Sequence, residues 1–114
     1  MNKIEITKSD SEGFSALTSF ESWQIGVVNY CGRIAYGKKP EKIERHLLTD
    51  EAFILTKGRA ALYVGREMEK IDMECGMVYK IRKNTWHAVM ADRNANIFVI
   101  ENKATCEKNT EYIY

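Results

Sequence analysis

Ile43-Glu44-Arg45-His46-Leu47-Leu48, then Glu51-Ala52-Phe53-Ile54-Leu55-Thr56-Lys57-Gly58, and further on Gly76-x10-His87, decide how this chain folds. Side chains of a strand alternate between its two faces, so Glu44, His46 and Leu48 share one face of the first run. Glu51 shares a face with Phe53 and Leu55 in the second, and those two are natural core residues. His46 and His87 are the only histidines in the chain. Two imidazoles and two carboxylates turned into a small apolar interior would form one site.

Around this centre the texture is β. The run 23–30, Trp-Gln-Ile-Gly-Val-Val-Asn-Tyr, is rich in aromatic and β-branched residues. Strand-like runs follow at 43–48, 51–56, 60–64, 69–73, 77–81, 85–91 and 97–101. Between them stand turn signals such as Lys57-Gly58, Gly65-Arg66, Cys75-Gly76 and Lys83-Asn84. Short strands at this spacing, with no alternation of strand and helix, predict an all-β sandwich or barrel. Pro40, the only proline, belongs to a loop or a strand edge. Residues 10–20 read as a short helical turn entered at Ser9 or Asp10. The C-terminal Tyr112-Ile113-Tyr114 is expected to dock on the barrel or on a partner chain.

A chain of 114 residues is expected to form one domain, 1–114. Its 17 basic and 16 acidic residues leave a net charge of +1, which gives no attraction to nucleic acid or to an anionic membrane. No apolar run approaches eighteen residues, and Met1-Asn2-Lys3-Ile4-Glu5 lacks the apolar core of a signal peptide. Cys31, Cys75 and Cys106 are odd in number and without CxxC spacing, so reduced, buried thiols are expected rather than a disulfide framework. These readings point to the cytoplasm. Met68, Met73, Met77 and Met90 read as core fillers.

The spacing resembles the cupin superfamily, whose first motif is G-x5-HxH-x3/4-E-x6-G and whose second is G-x5-PxG-x2-H-x3-N. His46, Glu51, Gly58, Gly76 and His87 fall on motif positions. Glu44 replaces the first histidine, Arg82 and Asn84 replace the proline and glycine, and Ala91 replaces the final asparagine. Asn tolerates a left-handed turn better than other side chains, so Asn84 can still serve a tight hairpin. The likeness covers about residues 40–103 and implies a cupin jelly-roll barrel (a double-stranded β-helix). Locally, Ile43-Glu44-Arg45-His46, Ala52-Phe53-Ile54 and Asn84-Thr85-Trp86-His87 are similar to ureidoglycolate lyase, whose pattern runs E-R-H-P-L-x-x-Q-A-F-I-P and N-x-W-H. Glu51 stands where that family has glutamine.

The resemblance implies His46, Glu51, His87 and Glu44 as ligands of a divalent metal such as Zn, Mn, Fe or Ni. It makes His46, His87 and Glu51 the catalytic candidates. Expulsion of a leaving group from a hydroxy acid needs a base, help for the departing atom and a cation or donors for the carboxylate. Imidazole titrates near neutral pH and suits the base. Arg82, Lys80 and Tyr79 are the candidate substrate contacts, with Lys80 and Arg82 on the strand face opposite Tyr79 and Ile81. Arg45 points away from Glu44 and His46. Tyr30, Tyr63 and Trp86 are further candidates to line a pocket. The expected protein is a lyase, isomerase or hydrolase of a small polar metabolite such as a hydroxy acid or sugar acid. The alternative is a non-catalytic cupin that binds or senses a small ligand. Small cupins commonly dimerise, and the strand-like Ile4-Glu5-Ile6 with Trp23, Tyr30, Tyr36 and the terminal aromatic residues adds surface for a homodimer.

Overall fold

The computed structural model describes residues 3–114 and comprises two antiparallel five-stranded sheets facing each other. The strands are β1 (Gly13–Phe20), β2 (Trp23–Asn29), β3 (Ile43–His46), β4 (Glu51–Lys57), β5 (Ala60–Val64), β6 (Glu69–Asp72), β7 (Val78–Ile81), β8 (His87–Ala91), β9 (Asn96–Asn102) and β10 (Thr110–Ile113). One sheet runs β1-β2-β9-β4-β7 and the other β10-β3-β8-β5-β6. Chain neighbours β4 and β5 lie in opposite sheets, as do β7 and β8, so the chain repeatedly crosses between layers. This is a jelly roll. Among the described residues no helix is long and apolar enough to cross a membrane.

Alternation along the strands builds the core. Phe53 and Leu55 of β4 sit opposite Val99 and Ile97 of β9, and all four are buried. Leu62 and Ala60 close the layer from β5. The column of inward residues on β4 and β9 ends in two acids, because Glu51 pairs directly with Glu101. A second, smaller cluster of Ala61, Tyr63 and Met90 is packed by Ile34 and Tyr36.

Turn chemistry matches the sequence at two positions. Gly58 has φ +78, and a Cβ there would lie 2.6 Å from the Ala95 backbone, so only glycine fits between β4 and β5. Asn84 adopts φ 68, the left-handed turn expected of it.

Five expectations are corrected. Residues 13–20 form strand β1 instead of a helical turn, because the loop Glu21-Ser22, with Glu21 at φ 50, folds β1 back onto β2 along its whole length. Ile4, Glu5 and Ile6 belong to no strand, and Ile4 and Ile6 are exposed. Leu48 does not continue the inward face of β3; the strand stops at His46 and Leu48 is exposed. Met77 lies at an exposed turn beside edge strand β7, whereas Met73 and Met90 are buried. The three cysteines are free, yet Cys75 and Cys106 are exposed and Cys31 is only half-buried.

Candidate functional site

His46 at the end of β3, Glu51 at the start of β4 and His87 at the start of β8 are the only buried polar or charged residues among those described. Loop geometry delivers them to one point. Asn84 donates its backbone N–H to the His46 carbonyl at 2.7 Å, and Lys83 N–H donates to Asp50 Oδ1 at 2.9 Å. These two bonds tie the hairpin before β8 to the loop between β3 and β4. The two imidazole rings are 5.4 Å apart, and the Phe53 ring stands edge-on to His87 at 6.0 Å.

The hydrogen bonds fix which ring nitrogens carry protons. His87 Nδ1 lies 2.9 Å from the Thr85 carbonyl, which can only accept, so Nδ1–H is the donor. His46 Nδ1 lies 2.9 Å from Thr110 Oγ1, whose own proton is given to the Cys106 carbonyl at 2.7 Å. Nδ1–H is therefore the donor there too. Each ring then turns its Nε2 inward, a lone pair when the imidazole is neutral and an N–H donor when it is protonated, and both meet the same carboxylate oxygen. Glu51 Oε1 is 3.2 Å from His46 Nε2 and 3.0 Å from His87 Nε2. Three acceptors this close repel one another unless protons or a cation lie among them. Adjacent ligands held at about 2.1 Å and a right angle on one ion are separated by about 3.0 Å. The donor set therefore fits a divalent metal, and Nδ1–H bonds to oxygen acceptors are the usual outer support of a metal-bound histidine. Glu44, half-exposed, adds an oxygen 3.8 Å from His46 Nε2. Ligand atoms of Glu44, His46 and His87 lie within 4.8 Å of one another, as do those of His46, Glu51 and Glu101.

Sequence reasoning missed Glu101. It occupies the inward parity of Ile97 and Val99 in a strand that was read correctly, which was the available signal. Burial, reinforced by its hydrogen-bonded neighbour Glu51, pushes the Glu101 carboxyl up to about 7. Gln24 Nε2 donates to Glu101 Oε1 at 2.9 Å. Burial also opposes ionisation of Glu51, but hydrogen bonds to His46 and His87 outweigh it and hold Glu51 well below the usual carboxylate range. The pair thus shares one proton, carried by Glu101. Burial disfavours the charged His46 imidazole, yet its contact with Glu51 reverses this and raises it above the ordinary value.

The cluster forms the polar end of a cavity of about 530 Å³. Tyr79, Lys80 and Arg82 do not line it. Lys80 projects from edge strand β7 to Asp50 at 3.5 Å, and Arg82 is exposed. Tyr79 faces inward opposite Phe53, but its hydroxyl turns away and accepts the Glu74 N–H at 2.9 Å. Tyr30, Tyr63 and Trp86 are absent from the lining as well, and Arg45 lies outside, paired with Glu111 at 2.5 Å and stacked over Trp86. Phe14 of β1 and Tyr112 of β10 line the cavity instead.

A jelly roll with inward histidines and carboxylates at one end of its barrel has the fold of a cupin. The chain matches no protein-family model and no curated protein sequence. Solved structures do resemble it. A cupin-2 domain protein from Shewanella frigidimarina is 22% identical, with 83% of this chain and 85% of that one covered and a TM-score of 0.61. An RmlC-like cupin from Methanocaldococcus jannaschii, with a double-stranded β-helix fold, is 16% identical over 90% and 91%, with a TM-score of 0.61. A variant of Streptomyces Pac13 with uridine is 11% identical over 99% and 92%, with a TM-score of 0.66. Pac13 is a nucleoside dehydratase. At these identities the likeness establishes the fold.

Proposed function

We propose that this protein is a metal-dependent cupin enzyme in which His46, Glu51 and His87, with Glu44 at the open side, hold one divalent cation. The observation that carries this is the convergence of two Nε2 atoms on Glu51 Oε1, with both Nδ1 protons directed to oxygen acceptors. Two imidazoles with carboxylates suit Zn, Mn, Fe or Ni. When bound, the cation would supply charge to polarise a substrate oxygen.

The chain's own groups give the site its direction. In the metal-free protein burial and the neighbouring Glu51 push the Glu101 carboxyl up to about 7, which places beside Glu51 an acid that can pass a proton to a departing oxygen or nitrogen. Gln24 orients that carboxyl. Phe53 and Val99 back the acids with apolar surface that limits water. Proton transfer combined with a polarised oxygen fits a lyase acting on a hydroxy acid or hydroxycarbonyl compound, in line with the local likeness to ureidoglycolate lyase.

The test is metal content and metal affinity. Protein purified without added metal, analysed by elemental mass spectrometry and titrated with Co(II), is expected to hold close to one ion per chain. His46→Ala and His87→Ala should each weaken uptake by at least a hundredfold. Wild-type protein that takes up no Co(II), or variants that bind it as tightly, would remove the metal centre from this reading.

A further inference from the structure

We propose that Lys42 is a ligand-recognition residue of this cavity, and that the molecule it admits is a hydroxy acid with a second anionic group, a carboxylate or a phosphate, besides the head that meets the histidine–carboxylate cluster. This deepens the reading of the cavity as the substrate site and rests on it.

Strand register places the lysine. Lys42 immediately precedes β3 and lines the cavity together with Glu44 and His46, the alternate positions that follow it. On the neighbouring strand Tyr112 stands opposite Glu44 and Thr110 opposite His46. The Lys42 ammonium lies 4.5 Å from the centre of the Tyr112 ring and 5.9 Å from that of Tyr114. The nearer ring faces Glu44, two strand positions or about 7 Å from His46 along β3. The chain of a five-carbon hydroxy diacid bridges that span.

Lys42 is half-buried, yet among the described residues it forms no ion pair. The acids that share the cavity are directed elsewhere. Glu41 lies 3.9 Å from Arg33 and 3.6 Å from Lys38, and Glu44 lies 3.8 Å from His46. Glu51 meets both histidines, and Glu101 accepts from Gln24. An aromatic face attracts a cation through its quadrupole but offers no lone pair to the three N–H donors of an ammonium. A half-buried cation with donors unspent, in the wall of a cavity, selects an anion that forms charge-assisted hydrogen bonds with it. Arg33, exposed beside Glu41, adds a second cation to the same lining.

Three hydroxy acids separate the outcomes. 2-Hydroxyvalerate and 2-hydroxyglutarate share one head and one chain length and differ only in a methyl or a carboxylate at the far end; 3-phosphoglycerate carries a phosphate there. In competition read from the visible spectrum of the Co(II)-loaded protein, at least one of the two dianionic probes is expected to bind about tenfold or more tighter than 2-hydroxyvalerate. Whichever leads identifies the second group as carboxylate or phosphate. Lys42→Met keeps an unbranched chain without the charge and should cut that advantage to about threefold or less, and Lys42→Arg should retain most of it. 2-Hydroxyvalerate binding as tightly as both dianions, an advantage unchanged in Lys42→Met or lost in Lys42→Arg, or no binding of any of the three would overturn the inference. Failure of the wild type to take up Co(II) strikes the metal centre instead. The same comparison is then read from NMR shifts of the Tyr112 ring in the metal-free protein, with the same outcomes deciding.

Discussion

At the scale of single residues the site depends on hydrogen bonds that reach it from behind. Thr110 fixes the tautomer of His46, accepting from Nδ1 while its own proton is committed to Cys106. Thr110→Val removes the acceptor at nearly constant volume and should weaken Co(II) affinity by about 10- to 100-fold. Thr110→Ser keeps the hydroxyl and should restore most of it; equal loss in both variants would mean that packing, not the hydrogen bond, matters. Glu101 gives a pH prediction. Its folded value of about 7 lies above the ordinary 4.5, so the native chelator-treated protein binds the proton more tightly than the unfolded chain. That stability is complete below pH 4.5 and lost as pH rises through 7. Glu101→Gln should therefore be the more stable variant at pH 8, by about 1–2 kcal/mol after allowance for solvent screening. Urea melts at pH 5 and pH 8 read the difference, and a Glu101→Gln protein whose relative stability is the same at both values would contradict it.

Among the elements, the last strand does most for the site relative to its length. β10 pairs with β3 so that Thr110 stands opposite His46 and Tyr112 opposite Glu44. Asn109 anchors the approach, its carbonyl accepting the Leu47 N–H at 2.8 Å and its side-chain amide reaching the Ala104 carbonyl at 2.7 Å. Tyr112 and Ile113 thus dock on the barrel, one of the two outcomes expected of the C-terminal residues, whereas Tyr114 is exposed. The β4–β5 turn carries the sharpest local constraint. Gly58→Ala combines a left-handed backbone with a Cβ at 2.6 Å from Ala95 and should cost at least about 2 kcal/mol. Denaturant unfolding measures this, and a loss below about 0.5 kcal/mol would mean that the turn relaxes freely.

On the scale of the whole molecule, unpaired surface gathers at the β1 edge. Phe14, Phe20 and Trp23 are exposed there, and Phe20 and Trp23 contact each other at 6.5 Å between ring centroids. Ile4 and Ile6 add further exposed apolar surface. An open strand edge with apolar side chains invites a second chain. We expect a homodimer burying this region, with an interface of roughly 1,200 Å² or more. Light scattering at tens of micromolar protein should report twice the chain mass of 13.2 kDa, and a monomer mass would exclude this assembly.

The sequence alone determined the strands that carry the motif, the inward parity of Glu44, His46 and Glu51, the turn at Asn84 and the glycine at 58. Each is a local matter of alternation or backbone freedom, readable from neighbours in the chain. Tertiary structure decided the rest. Strand β1 exists because β2 pairs with it, and its mixed composition carries no strong period of its own. Glu101 becomes a proton holder only because β9 sets it opposite Glu51. Tyr79 has the inward parity of its strand, yet its hydroxyl is spent on Glu74, and Thr110, an unremarked residue in a polar tail, holds His46. Partners far apart in the chain are chosen by sheet order and register, and neither is written in the local alternation of polar and apolar residues.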